Sequence, residues 1–256
     1  MSSSRRPGAG SQRGRGSGSK TTVTAPTGRG VTVRVKTAAK RSVSSARWLE
    51  RQLNDPYVIE AQKQGYRSRA AFKLLQLDEK YPFLKPGARI VDLGCAPGGW
   101  VQVAAAKIFK AGGAKEGGAK SGKIIGIDLL PVDPIPGAQL IEMDFMAEEA
   151  PDTLKRLLDG PADVVLSDMA ASATGHARTD HLKIMALAEA AYEFAAEVLA
   201  PGGTFIAKVL QGGATGTLLA SLKRDFAEVK HVKPPASRAD SAEIYVVALK
   251  FRGNKG

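Results

Sequence analysis

Short apolar runs alternate with helix-like stretches along most of this chain. The runs at 89–93, 123–127, 139–141, 163–166, 204–209, 228–232 and 244–250 have the length and composition of strands. Helical spacing fills the intervals: one pattern begins at Gly98, one ends at Leu158, and others span 181–199 and 215–226. The 181–199 pattern is the clearest, because Leu182, Met185, Ala188, Tyr192, Ala195 and Leu199 recur at three- and four-residue steps before Pro201-Gly202-Gly203 ends it. Such alternation predicts an α/β fold with a mostly parallel, seven-stranded sheet covered by helices on both faces. Only residues 233–242 separate the last two strands, too few for a crossover helix, so these two are expected to pair antiparallel. Upstream, 55–80 reads as one helical segment with Ala71, Leu74, Leu75 and Leu77 as its apolar stripe, and Pro86-Gly87 separates it from the first strand.

Composition adds a second region. Of 256 residues 43% are apolar, enough for a core and incompatible with wholesale disorder or a fibrous repeat. The net charge of +12 is not spread evenly: residues 1–49 carry eleven Lys or Arg and no acid, whereas 50–256 carry 26 basic against 25 acidic residues. This Gly/Ser/Arg-rich segment has no Leu, Ile, Phe or Tyr before Trp48, so 1–49 is expected to be a disordered tail and 50–256 the folded domain. The tail reads either as an arm that attracts phosphate backbones by counterion release or as a solubilising extension. A stretch rich in Gly, Ala and Lys at 111–122 has linker composition and is expected to lengthen a surface loop.

No apolar run approaches the roughly 18 residues that cross a bilayer, and the first 20 residues lack the apolar segment of a signal peptide. The expectation is a cytoplasmic protein without membrane contact; the acid-free, Arg/Ser-rich tail keeps the mitochondrial matrix as the alternative. Cys95 is the only cysteine, and His176, His181 and His231 have no metal-ligand spacing, so neither a disulfide nor a metal site is expected.

Ligands of open α/β sheets bind beyond the carboxyl ends of the strands. The first such turn, Asp92-Leu93-Gly94-Cys95-Ala96-Pro97-Gly98-Gly99-Trp100, has Gly-x-x-x-Gly-Gly in place of the dinucleotide pattern Gly-x-Gly-x-x-Gly. Its acid, Asp92, suits a ligand with a positive amino-acid end better than one carrying phosphates. Asp128 follows the next strand, where a carboxylate would accept ribose hydroxyls, and Asp144 follows the third, within reach of an adenine amino group. Each acid alone reads as a helix cap. Together they specify a nucleoside bearing a cation, which fits S-adenosylmethionine and not NAD or ATP. Asp168 ends the fourth strand, Lys208 lies in the apolar fifth, and Glu243 begins the last.

These motifs, with Tyr66–Leu74, Asp128-Leu129-Leu130-Pro131, Ser167-Asp168-Met169-Ala170 and 237–245, make the chain from about Gln52 to Phe251 resemble the bacterial FtsJ-like ribosomal RNA uridine 2′-O-methyltransferases. The resemblance implies a Rossmann-like class I methyltransferase fold with an antiparallel last strand. It implies a Lys-Asp-Lys-Glu catalytic tetrad at Lys73, Asp168, Lys208 and Glu243, and S-adenosylmethionine contacts at Gly98, Trp100, Asp128, Asp144 and Asp168, to which the glycine turn adds Asp92, Gly94 and Gly99. The implied reaction is methylation of a uridine ribose in the A-loop of large-subunit ribosomal RNA, on the assembled subunit, by a monomer. Lys208 would accept or orient the hydroxyl proton, and Arg67, Arg69 and Arg238, which flank tetrad residues, would contact RNA phosphates. The chain departs from the family where Ala171-Ser172 replaces Pro-Asn, and at 111–122. A ribosome-assembly factor without turnover, a nucleotide-dependent oxidoreductase, and a methyltransferase for transfer RNA or a cap remain as alternatives.

Overall fold

The computed structural model describes residues 42–109, 122–171, 174–212 and 216–253. Three helices come first, α1 (Val43–Leu53), α2 (Pro56–Lys63) and α3 (Ala70–Lys80). The sheet domain continues as β1 (Arg89–Leu93), α4 (Gly99–Ile108), β2 (Lys123–Asp128), β3 (Ala138–Glu142), α5 (Ala150–Leu158), β4 (Ala162–Ser167), α6 (Ala177–Val198), β5 (Leu199–Leu210), α7 (Gly216–Asp225), β6 (Phe226–Val232) and β7 (Glu243–Phe251). All seven expected strands form, in the order β3-β2-β1-β4-β5-β7-β6. β1 to β5 pair in parallel, and β7 runs antiparallel to both β5 and β6.

Alternation along the strands sends successive side chains to opposite cores. Val91, Ile125, Val165 and Phe205 pack with Leu154 of α5, Met185 and Tyr192 of α6 and Leu222 of α7. Ile90, Ile124, Val164, Ile206 and Val247 face the other way, onto Leu74 and Leu77 of α3 and Val101 and Ala104 of α4.

Four expectations need correction or remain outside the described residues. The 55–80 segment is two helices, because α2 is terminated at Gly65 (φ 74°): the Gly65 amide donates to Gln62 O (3.2 Å) and the Tyr66 amide to Ala61 O (2.8 Å). That pair of bonds closes a helix only through a left-handed residue, which glycine adopts without Cβ strain. Second, α1 begins inside the segment assigned to a disordered tail; the Ser42 side chain caps it by accepting from the Ser45 amide (3.2 Å). Residues 1–41, the insertion at 110–121 and Ser172 lie outside the described residues. Third, Leu182 is 60% exposed, since the buried stripe of α6 starts only at Met185. Fourth, Leu199 and Pro201-Gly202-Gly203 do end α6 but belong to β5, which opens there with a shift of register against β4.

Candidate active site

The strand order reverses between β1 and β4, so their carboxyl ends open the crevice in which such sheets hold ligands. The glycine turn is pinned across it: the amides of Gly94 and Cys95 both donate to Ile127 O (2.9 and 3.2 Å), and the Asp168 amide donates to Leu93 O (3.1 Å). Gly94 and Gly98 have φ of 78° and 107°. A Cβ on Gly94 would lie 2.8 Å from Met169, one on Gly98 would lie 2.8 Å from Ile135 and 2.9 Å from the Arg67 guanidinium, and one on Gly99 would lie 2.4 Å from Ser68 Oγ. Gly94 is therefore required by backbone contact, and Gly94 and Gly98 by their left-handed φ, whereas the tight contact at Gly99 is a serine hydroxyl. What these glycines leave for a ligand is backbone, including the first-turn amides of α4, which no side chain caps.

Three acids converge on this crevice in different states. Asp92 is 1% exposed and neither of its carboxylate oxygens has a partner. Burial, reinforced by the nearby Asp168 and Asp128, pushes its carboxyl well above the usual carboxylate range. A buried acid that lacks a partner and faces two others is short of one cation, and the amino or sulfonium group of S-adenosylmethionine fits that deficit. Asp128 accepts from the amides of Ala96 (Oδ2, 2.8 Å) and Leu130 (Oδ1, 2.9 Å), which fixes its carboxylate and leaves one lone pair on each oxygen. Asp144 is exposed and accepts from the Met146 amide (2.9 Å), an Asx turn that orients it at the end of β3.

The four residues expected as a tetrad meet in one ring with a fifth. Lys208 Nζ donates to Asp168 Oδ1 and to the Asp168 carbonyl, both at 2.9 Å. Tyr245 Oη donates to Asp168 Oδ1 (2.7 Å) and accepts from Lys73 Nζ (3.1 Å). Glu243 closes the ring, with Oε2 3.4 Å from Lys73 Nζ and Oε1 3.9 Å from Lys208 Nζ. Antiparallel pairing makes this possible: Lys208 lies opposite Tyr245, and Glu243, two residues earlier on β7, projects to the same face. On that face α3 packs, bringing Lys73 over the Tyr245 ring (5.6 Å). Burial alone would raise the Asp168 carboxyl; the cations of Lys208 and Lys73 and the Tyr245 hydroxyl reverse this and hold it below the usual range. Burial, reinforced by the carboxylates of Asp168 and Glu243, pushes the Tyr245 phenol well above its ordinary value, so it stays a donor.

Tyr245 is the residue that sequence reasoning missed. Its signal was its place two residues after Glu243, on the same face of a strand. Tyr245→Phe keeps the ring on Trp100 (centroids 5.6 Å apart) and removes only the hydroxyl that couples Lys73 to Asp168. The expected result is a folded protein whose methyl-transfer rate falls by about tenfold, the scale of one lost hydrogen bond to charged groups. Single-turnover kinetics with a parallel thermal melt check it.

Other expected site residues serve structure. Arg67 donates to the carbonyls of Pro97 (3.3 Å), Asp133 (2.7 Å) and Pro134 (3.0 Å), clamping two loops. Arg69 is held by Asp55 and the Ala236 carbonyl. The Trp100 side chain is 3% exposed and donates to Ala70 O (2.8 Å), so only its backbone can meet a cofactor. Cys95 is buried and its thiol is pushed up, as for a packing residue. A larger cavity, about 910 Å³, lies at the opposite end of the sheet beside Tyr81, Phe83 and Phe109, and contains no part of this ring.

A sheet of this order with an antiparallel β7, an acid-lined glycine turn and no pyrophosphate pattern defines a class I methyltransferase. The sequence model of the FtsJ-like methyltransferases matches residues 66–251. The chain belongs to that family, and S-adenosylmethionine is its methyl donor. It is 62% identical over 225 residues to a protein of Parvibaculum lavamentivorans named ribosomal RNA large subunit methyltransferase E, covering 88% of this chain and 89% of that one. A protein of the same name from Paramagnetospirillum magneticum is 59% identical over 243 residues, covering 94% and 98%. The crystal structure of a ribosomal RNA methyltransferase from Plasmodium falciparum is similar at a TM-score of 0.62 and 36% identity, over 74% of this chain and all of that one.

Proposed function

We propose that this enzyme transfers the methyl group of S-adenosylmethionine to the ribose 2′-hydroxyl of a uridine in the A-loop of 23S ribosomal RNA, on the assembled large subunit, acting as a monomer in the bacterial cytoplasm. The observation that carries the reading is the closed ring of Lys73, Tyr245, Asp168, Lys208 and Glu243 at the mouth of an acid-lined crevice. The sulfonium supplies an already activated methyl group. The protein's part is then to align the hydroxyl for in-line attack and to manage its proton.

In this reading Lys208 meets the hydroxyl. Two directions of its amino group are taken by Asp168; the remaining one either donates to the hydroxyl oxygen and orients it or, when Lys208 is the neutral amine, is the lone pair that takes the hydroxyl proton as the methyl group is transferred. Asp168 fixes Lys208, while Glu243 sits between the two lysines and Lys73 balances the acids. Asp92 would hold the cationic part of the cofactor, Asp128 the ribose and Asp144 the adenine, with the backbone of Gly94, Gly98, Gly99 and Trp100 passing beneath. Mapping 2′-O-methylated nucleotides of ribosomal and transfer RNA in a strain lacking the gene tests the reading. Loss of one A-loop uridine methyl group is expected; loss confined to transfer RNA would replace it with the other-RNA reading.

The buried acid gives a second test. Asp92 is raised in the free protein, and a cation beside it lowers it again, so S-adenosylmethionine binding should release a proton. Affinity should therefore rise with pH through the range above the ordinary carboxylate value and level off once Asp92 ionises in the free protein. Calorimetry in buffers of different ionisation heat is expected to register that proton for the wild type and none for Asp92→Asn.

A further inference from the structure

A recess of about 380 Å³ opens beside the ring, and cations outnumber acids in its lining: Arg51, Arg69, Lys73 and Arg238 face Asp240 and Glu243. Asp55 lies beneath and is nine-tenths buried. It must serve two guanidinium groups, pairing with Arg69 and with Arg238 Nε (3.5 Å). Burial lowers Arg69 below its ordinary value; Asp55 opposes that and the Arg238 cation adds to it, as expected where positive charge exceeds its counter-charge.

Donors in this cluster also lack acceptors. Among the described residues, only the Nε of Arg238 has a protein acceptor, Nη2 is buried without one, and the side chain is 30% exposed toward the recess. Arg51, on α1, is 58% exposed and reaches only Asp240, at 3.7 Å. An ion pair that open is worth little and exchanges readily for a better anion. Two planar guanidinium groups lining one recess, one with unmatched N–H groups and the other in a loose surface pair, match the oxygens of one phosphate.

We infer that this recess seats one backbone phosphate of the RNA strand next to the target nucleotide, held by Arg238 and Arg51. The inference rests on the RNA-methylating reading above. It gives α1 a function that its place in the sequence did not suggest, since the helix supplies one wall of the phosphate seat. It also separates the arginines expected to touch RNA: Arg238 keeps that role, while Arg67 and Arg69 hold the frame.

The test uses the full-length protein and large ribosomal subunits lacking the methyl group. Affinity is measured over a series of salt concentrations for the wild type, Arg238→Gln and Arg51→Ala. Each variant is expected to bind the subunits more weakly, about tenfold for Arg238→Gln, with a log-log salt slope shallower by about 0.7, the release expected from one single-strand phosphate contact. S-adenosylmethionine affinity should be unchanged. Equal salt slopes for the wild type and both variants would overturn the inference. Arg51→Ala alters only an exposed side chain, so it decides the matter if Arg238→Gln does not fold. A wild-type protein that binds the subunits but leaves them unmethylated would instead sink the function proposed above, and the phosphate seat with it.

Discussion

Replacing Lys208 by alanine is expected to slow single-turnover methyl transfer to large ribosomal subunits by about two to four orders of magnitude, the range over which a positioned proton-transfer group acts. The position makes the size of the effect. Lys208 is the only member of the ring bonded directly to both the carboxylate and the carbonyl of Asp168, and its side chain is 6% exposed. Water cannot take its place with the same orientation. The variant should retain S-adenosylmethionine binding, because Asp92, Asp128 and Asp144 are anchored on other strands. Lys208→Ala with a near-wild-type single-turnover rate would remove Lys208 from the chemistry altogether.

The second large effect belongs to Asp168→Ala, and it is expected in stability as well as rate. The carboxylate is the acceptor shared by Lys208 and Tyr245, and its loss leaves a buried ammonium with only a carbonyl and a distant glutamate. Removing one partner of a buried ion pair costs about 3–5 kcal/mol, because the other charge stays desolvated. For a domain of this size that lowers the melting temperature by on the order of 10 °C. Methyl transfer should fall below detection, since the ring loses its hub.

The acid limb carries a sign that can be checked in the same experiment. Asp168 is held below its unfolded value, so its stabilisation is complete above about pH 4 and disappears as pH falls through the lower folded value. The gap in melting temperature between wild type and Asp168→Ala should be widest near neutrality and shrink on acidification. A gap that stayed constant to low pH would mean the carboxylate is not ion-paired in the native protein.

Much of this molecule follows from the order of residues alone. The alternation of short apolar runs with helical spacing specifies seven strands: the five inner ones, buried on both faces, are written as nearly continuous apolar segments, and the half-exposed edge strands β3 and β6 as shorter or mixed ones. The three strand-end acids and the non-dinucleotide glycine turn specify a nucleoside with a cation, because both signals are local and each sits next to its own strand. Lys208 is legible for the same reason: a lysine inside Phe205-Ile206-Ala207-Lys208-Val209 has to be paired or used.

Tertiary structure decided everything that depends on two distant segments sharing one face. The antiparallel register that sets Lys208 opposite Tyr245, and the packing of α3 that lays Lys73 over the Tyr245 ring, bring together residues 172 positions apart in sequence. No local pattern records which way a neighbouring strand runs. The arginines make the same point in reverse. Arg67, Arg69 and Arg238 look alike in sequence, all basic and all beside tetrad positions. Only the fold gives Arg67 three carbonyls and Arg69 an aspartate and a carbonyl, and leaves Arg238 with N–H groups unmatched, because a guanidinium's availability is set by the acceptors that packing brings within its reach.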